Sequence, residues 1–207
     1  MTLEGPKIKL TVLDQIATSD KVRRQIIDAA SLLYAKKGFA ATSIQEISEM
    51  AGVSLPVTYH YVKKKSEIMR MIMEDVLNTF REHLLKEVRD IHDPEEKLAI
   101  AVILFLRVLD QHKEKALLIY QKSSSLDKSS KSRVMQLEVD MADVFGSIIE
   151  EGIAQGVFKK LDIDLMAYNI IMMAHMWVLK GWHLRKRLTL DQYIDLQLST
   201  IMDALRK

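Results

Sequence analysis

Cysteine is absent from the 207 residues. That excludes disulfides, thiolate catalysis and Cys-ligated zinc or iron–sulfur clusters, and it suits the reducing cytoplasm. Proline occurs 3 times and glycine 7 times. So few helix breakers leave long stretches uninterrupted, and a β-sandwich or doubly wound α/β fold would need more turn glycines and more β-branched runs. Aromatic residues make up only 6%. Long apolar runs are also missing. The nearest is Leu165–Leu179, which contains Asn169 and His175 and falls short of the ~20 residues a membrane span needs. The first 19 residues lack a signal peptide's apolar core, so no membrane partner is expected. What is present is a 48% hydrophobic composition rich in Leu, Ile, Met and Ala, enough to exclude wholesale disorder. The expected fold class is all-α.

The net charge of +2 hides an asymmetry. Residues 1–70 hold 11 Lys and Arg against 7 Asp and Glu; residues 71–207 hold 19 against 21. A small basic segment before a larger, slightly acidic one implies two jobs, the first being polyanion binding.

Residues 1–19 show no 3.6-residue period and read as a flexible arm, from which Lys7 and Lys9 can reach a minor groove. Ser19 and Asp20 are placed to cap a helix from about Lys21 to Lys37, with Val22, Ile26, Ile27, Ala30, Leu33 and Tyr34 on its apolar face. Gly38 stands at its C-terminal stop. A short helix from Ser43 to Met50 follows, with Thr42 as N-cap and Gln45 three residues on. A third helix runs from Leu55 to Val62. A long one begins near Ser66 and reaches about Arg89. Asp93-Pro94-Glu95 is a strong helix start, leading to about Asp110. Further helices are predicted over roughly Lys113–Ser123, Leu126–Gln155, Asp164–Lys180 and Asp191–Lys207, with Ser123-Ser124-Ser125 as a polar break. The domains are therefore an arm (1–19), a three-helix unit (20–65) and a larger helical unit (66–207).

The informative stretch is Gly38 to Ile68. Two helices of about two turns flank a turn at Gly52, and Ile44, Ile47 and Val53 form a small core. This is a helix-turn-helix layout, in which the second helix enters the major groove. Leu55, Pro56, Val57, Tyr59, His60 and Tyr61 crowd into that helix, and only some can face inward. The others project toward phosphates and base edges. Lys63, Lys64 and Lys65 follow, with charge for phosphate neutralisation.

This stretch resembles the DNA-binding domain of the TetR/AcrR family of transcriptional regulators. The matching residues are Gly38-Phe39, Thr42-Ser43-Ile44, Glu46-Ile47, Ala51-Gly52-Val53-Ser54, Tyr59, Tyr61, Lys63, Lys65 and Glu67. Gly152, Gly156, Phe158, Asp162 and Ala167 match the bend before the family's penultimate helix. Ser48 and Thr58 depart from it, standing where alanine and an aliphatic residue are usual. So do Val57, in a hydroxyl position, and Val62, in a phenylalanine position. The resemblance implies that Thr42 and Ser43 bond a phosphate and that Ser54, Leu55, Pro56, Val57 and His60 face the groove. It implies that Tyr59 and Tyr61 reach phosphate or base, and that Lys63 and Lys65 grip the backbone.

The larger unit carries no catalytic signature: no Gly-rich phosphate loop, no His-Glu-x-x-His and no Glu-x-x-His at any of the six histidines. Neither cofactor nor metal is expected, and His83, His92, His112, His175 and His183 read as surface or core residues. Phe80, Phe105, Leu106, Tyr120, Met141, Phe145, Met172, Met176 and Trp177 are candidates to line a pocket for a small hydrophobic effector. The resemblance adds that family members bind an inducer among these helices and dimerise through the last two. The end sequence, from Met176 to Gln197, resembles regulators of acyl-thioester metabolism, which would bring Lys180, Arg185, Lys186 and Arg187 to an acyl-CoA. The expected function is a ligand-responsive repressor that binds a palindromic DNA operator as a homodimer. The competing class is an all-helical enzyme or adaptor with an incidental helix-turn-helix, and the missing acid, base or metal set speaks against the enzyme.

Overall fold

The computed structural model describes residues 7–122 and 126–207; of residues 7–18, 119, 121 and 122 it describes the backbone alone. Among the described residues the regular structure is helical, apart from one isolated antiparallel bridge between Phe158 and Arg206. The chain divides after Ile72 into two units.

The N-terminal unit comprises α1 (Lys7–Lys37), α2 (Ile44–Ala51), α3 (Leu55–Tyr61) and the first two turns of α4 (Lys65–Glu87). Residues 7–18 were expected as a loose arm, but their backbone is helical, and Ser19 and Asp20 lie inside α1 rather than capping it. The row Ile8, Val12, Ile16 has four-residue spacing, and no Gly or Pro interrupts the chain between Pro6 and Gly38. Gly38 ends α1 at φ 86°, its amide donating to the Tyr34 carbonyl (2.9 Å). The N-cap of α2 is Ser43, not Thr42, and the capping-box partner is Glu46, not Gln45. Both pairs have the right spacing. Ser43 prevails because the Thr42 hydroxyl donates back to the Gly38 carbonyl (2.8 Å) and is buried, 2% exposed. Glu46 is also held by an ion pair to Lys37. Gly52 closes α2 at φ 64°, the left-handed conformation the tight turn requires. Ile26, Ile27, Ala30, Ile47, Val62 and Ile68 form the buried interior, whereas Ile44 and Val53 are only half-buried.

The C-terminal unit holds the rest of α4, then α5 (Pro94–Gln111), α6 (Lys113–Lys122), α7 (Lys128–Ala154), α8 (Ile163–Leu179), α9 (Gly181–Leu184) and α10 (Leu190–Leu205). The predicted Ser123–Ser125 break lies outside the described residues. Asp93, Asp127, Asp162 and Thr189 cap α5, α7, α8 and α10, each accepting a backbone N–H. The Asp127 cap starts α7 two residues later than expected. The short α9 was not foreseen. Helix α5 packs against α7, α8 and α10, and α7 packs against α8. Phe80, Phe105 and Phe145 meet at the centre with ring centroids 5.1–5.8 Å apart. The Trp177 indole donates to Asp110 (2.9 Å), and its ring lies beside Tyr193, tying α8 to α5 and α10. No helix is long and apolar enough to cross a membrane, among the described residues.

The bend before α8 has a clear cause. Gly156 adopts φ 75°, and the amides of Val157 and Phe158 both donate to the Gly152 carbonyl (2.9 and 3.0 Å). This folds the Phe158 ring over Gly152, where a Cβ would fall 2.1 Å from Phe158 Cδ2.

Candidate nucleic-acid interface and cavity

Two hydroxyls set the frame of the helix-turn-helix. Ser48 on α2 and Thr58 on α3 are both buried, and their side chains hydrogen-bond each other at 2.9 Å. Ser48 Oγ also lies 2.8 Å from the Ile44 carbonyl, and Thr58 Oγ1 lies 3.3 Å from that of Ser54. The two departures from the family pattern are therefore one feature: a polar tie between the helices, satisfied on both sides.

With Thr58 turned inward, the opposite face of α3 is open. Ser54, Pro56, Val57, Tyr59 and His60 are exposed and Leu55 is half-buried. Ser54 caps α3 without spending its hydroxyl on the cap. Exposed Lys63 follows, its ammonium on the Tyr59 carbonyl (2.6 Å) and its amide on the Glu67 carboxylate (2.6 Å). This surface combines methyl groups, a phenol and an imidazole on one short helix with a cation just beyond it, chemistry suited to base edges and phosphates.

Four expected contact residues are otherwise engaged. Thr42 is buried on the Gly38 carbonyl. Ser43 spends its hydroxyl within the capping box, where hydrogen bonds from Lys37 and Ser43 hold the Glu46 carboxyl down at about 2. Tyr61 is half-buried, and its hydroxyl donates to Ser19 on α1 (3.2 Å). Lys65 donates to the carbonyls of Phe39, Ala40 and Thr42 (2.9, 3.0 and 2.7 Å) and sits over the Phe39 ring. An ammonium has three donors, and all three are used. Lys65 thus holds the α1–α2 loop.

The C-terminal unit contains a cavity of about 250 Å³. Its wall comes from five helices: Met73, Val76 and Leu77 of α4; Phe105 and Leu109 of α5; Ala116 and Tyr120 of α6; Leu137, Glu138 and Met141 of α7; and Tyr168, Ile171, Met172 and His175 of α8. Of the nine expected pocket residues, Phe105, Tyr120, Met141 and Met172 line it. Phe80, Leu106, Phe145 and Trp177 are buried in the core instead, and Met176 is exposed outside the wall. On a helix only one stripe can face a given void, and apolar character does not say which.

His175 is the residue that sequence reasoning passed over. Its Nδ1 is hydrogen-bonded to the Tyr120 hydroxyl. Burial pushes the imidazole down to about 4 and the Tyr120 phenol up to about 12. A histidine inside the most apolar segment of the chain was the available signal, because a buried polar group needs a partner. Arg185, a candidate phosphate ligand, lies over the Trp177 ring and donates to the Trp177 carbonyl (3.3 Å). Among the described residues no group of three or more His, Asp or Glu side chains is placed to hold a metal ion.

Residues 26–72 match the model for bacterial regulatory proteins of the tetR family, and residues 92–203 match that for the tetracyclin repressor-like C-terminal domain. The HTH-type transcriptional regulator HbdR of Aromatoleum sp. (strain CIB) is 27% identical over 188 residues, covering 91% of this chain and 82% of that protein. The structure of the regulator FadR from Bacillus subtilis in complex with stearoyl-CoA superposes with a TM-score of 0.76 at 21% identity, over 87% of this chain and 98% of that one. That of AibR with isovaleryl coenzyme A and operator DNA gives 0.69 at 22%, over 86% and 97%. The second family model alone spans more than half of the chain, and the first covers the helix-turn-helix: this protein belongs to the tetR family of DNA-binding transcriptional regulators.

Proposed function

We propose that the protein is a repressor that binds a near-palindromic operator as a homodimer and leaves it when a small hydrophobic effector, of the acyl-CoA class, enters the C-terminal cavity. One observation carries the reading. Helix α4 supplies Met73, Val76 and Leu77 to the cavity wall, and its first residue, Lys65, holds the loop that leads into α2. A ligand that displaces the wall acts on the helix whose first residue holds that loop.

In this reading α3 enters the major groove. Val57 offers methyls to thymine, Tyr59 and His60 offer polar edges, and Lys63 swings from the Tyr59 carbonyl to a phosphate. The dimer reading is supported by apolar side chains left open at the C-terminal end of the single chain: Leu165, Met176, Leu196 and Trp182, the last 71% exposed. A two-fold axis would present two α3 helices to successive major grooves. The acyl-CoA class is supported by the ligands named for the FadR and AibR structures. Release requires the effector to bind the DNA-incompetent state more tightly, and DNA then weakens effector binding by the same factor.

The test is fluorescence anisotropy with DNA from around the protein's own coding region, titrated at several salt concentrations. Saturable binding by a dimer, weakening steeply with salt, is expected. Tyr59→Ala should lose about tenfold or more in affinity, and Lys63→Ala should flatten the salt slope by about one unit per phosphate contact. Unchanged affinity in both variants overturns the assignment of α3.

A further inference from the structure

The cavity wall has polar groups and no cation: neither lysine nor arginine is among its described lining residues. Its deeper surface is Val76, Leu77, Phe105, Leu109 and Ile171. A carboxylate placed there would lose its hydration and meet no opposite charge, a heavy penalty in an apolar space. Glu138 adds a second obstacle, because it stands in the wall as a carboxyl whose pKa burial raises. An incoming anion would share the site with it.

What the wall does offer is a neutral pair. The His175 ring sits between Phe105 and Tyr120, with centroids 5.8 and 5.2 Å away. With Tyr120 donating to Nδ1, the tautomer that completes this bond leaves an N–H on Nε2, a donor suited to a carbonyl oxygen. Burial keeps the imidazole uncharged at neutral pH. The volume of about 250 Å³ lies below the ~300–1,000 Å³ of pockets that enclose a drug-sized ligand. It therefore accepts the apolar end of a larger molecule. Tyr120, Tyr168 and Met172 line the cavity and are solvent-exposed, so the remainder leaves past them.

Building on the effector reading above, we propose that the Tyr120–His175 pair makes the cavity selective for an uncharged acyl carbonyl, as in a thioester or ester of short to medium chain, and against the corresponding free acid. The regulator would then report the activated form of an acid and ignore the acid itself, and recognition within the cavity would not require the charged coenzyme.

The test is calorimetric titration of the full-length protein at pH 7.5 with three probes: octanoyl-N-acetylcysteamine thioester, octanoyl-CoA and octanoate. The two thioesters are expected to bind at least tenfold tighter than octanoate. His175→Leu should collapse that ratio, while His175→Gln, which keeps an N–H donor, should preserve most of it. Glu138→Lys, which puts a cation on the wall, should raise octanoate affinity at least tenfold and so narrow the ratio. Octanoate binding as tightly as the thioesters in the unsubstituted protein, or a ratio unmoved by His175→Leu, overturns the selectivity and leaves the effector site standing. No binding by any probe, in a protein that still holds its DNA, removes the cavity as the effector site and the selectivity with it.

Discussion

The two units are specified by different forces. In the N-terminal unit, directional bonds set the geometry: Ser43 with Glu46 and Lys37, Ser48 with Thr58, and Lys65 with three carbonyls. In the C-terminal unit, packing does most of it, around Phe80, Phe105 and Phe145, with a few pins such as Trp177 on Asp110 and the two-pronged Arg206–Glu95 pair. A directional bond demands a particular residue type at a particular spacing. Packing accepts many apolar side chains of about the right size. The first kind of order leaves a motif in the sequence, and the second leaves only a period.

The contrast breaks most visibly at His175, the half-buried imidazole inside the packed unit, and acid exposes it. Burial lowers its folded-state value to about 4 from the free value of 6.5. Well above pH 6.5 it is neutral in both states and contributes no pH dependence. As pH falls from 6.5 toward 4 the unfolded chain takes up the proton first, so stability is lost across that window, on the order of 3 kcal/mol in total. Urea unfolding of the wild type and His175→Gln at pH 7.5 and 4.5 checks this. The stability difference should shift toward the variant on acidification, and parallel behaviour of the two would show that the imidazole is solvated.

Next in size is Gly152→Ala. The added methyl meets the Phe158 ring, which is buried and cannot step aside. Overpacking of this kind costs about 1–3 kcal/mol. At Gly52 the same substitution meets nothing within 4 Å and costs only the strain of φ 64°, about 1 kcal/mol. Thermal denaturation of the two variants should rank them in that order. A milder Gly152→Ala would mean that the bend before α8 can relax.

How legible each unit was follows the same division. Most helices were readable, since Asp93, Asp162 and the glycines at 38, 52 and 156 carry local instructions, but the helical backbone of residues 7–18 and the short α9 were not. The exposed face of α3 was readable because Leu55 to Tyr61 holds more bulk than one buried stripe can take. The choice of Ser43 over Thr42, and the bonding of Lys65 to three carbonyls, depended on where the α1–α2 loop runs, which residue spacing does not encode. Cavity residues were hardest. Phe80 and Phe105 are indistinguishable by sequence, and only the rotation of each helix decides that one lines the void and the other does not.

Ser48 and Thr58 test the directional side at smaller scale. Thr58→Val removes the hydroxyl bond between α2 and α3, while Ser48 retains the Ile44 carbonyl. The expected cost is about 1 kcal/mol. Ser48→Ala combined with Thr58→Val should cost no more than either alone, because replacing both partners leaves nothing polar unpaired. Urea unfolding of the singles and the double measures the coupling, and strict additivity would mean that the two hydroxyls act independently.

The smallest effect has the opposite sign and falls where the N-terminal unit breaks its own rule. Tyr34 is buried against Phe39, its hydroxyl has no hydrogen-bond partner among the described residues, and burial pushes the phenol above its ordinary range. Among the described residues the other buried hydroxyls of that unit, on Thr42, Ser48, Thr58 and Ser66, are tied, so this one is a debit that shape alone retains. Tyr34→Phe keeps the ring and its contact with Phe39 while removing the unpaired group. It should raise stability by up to about 1 kcal/mol without changing DNA affinity. Equal or lower stability of the variant would show that the hydroxyl is bonded in solution, by a water or by movement of a neighbouring carbonyl, and that directional satisfaction in this unit is complete.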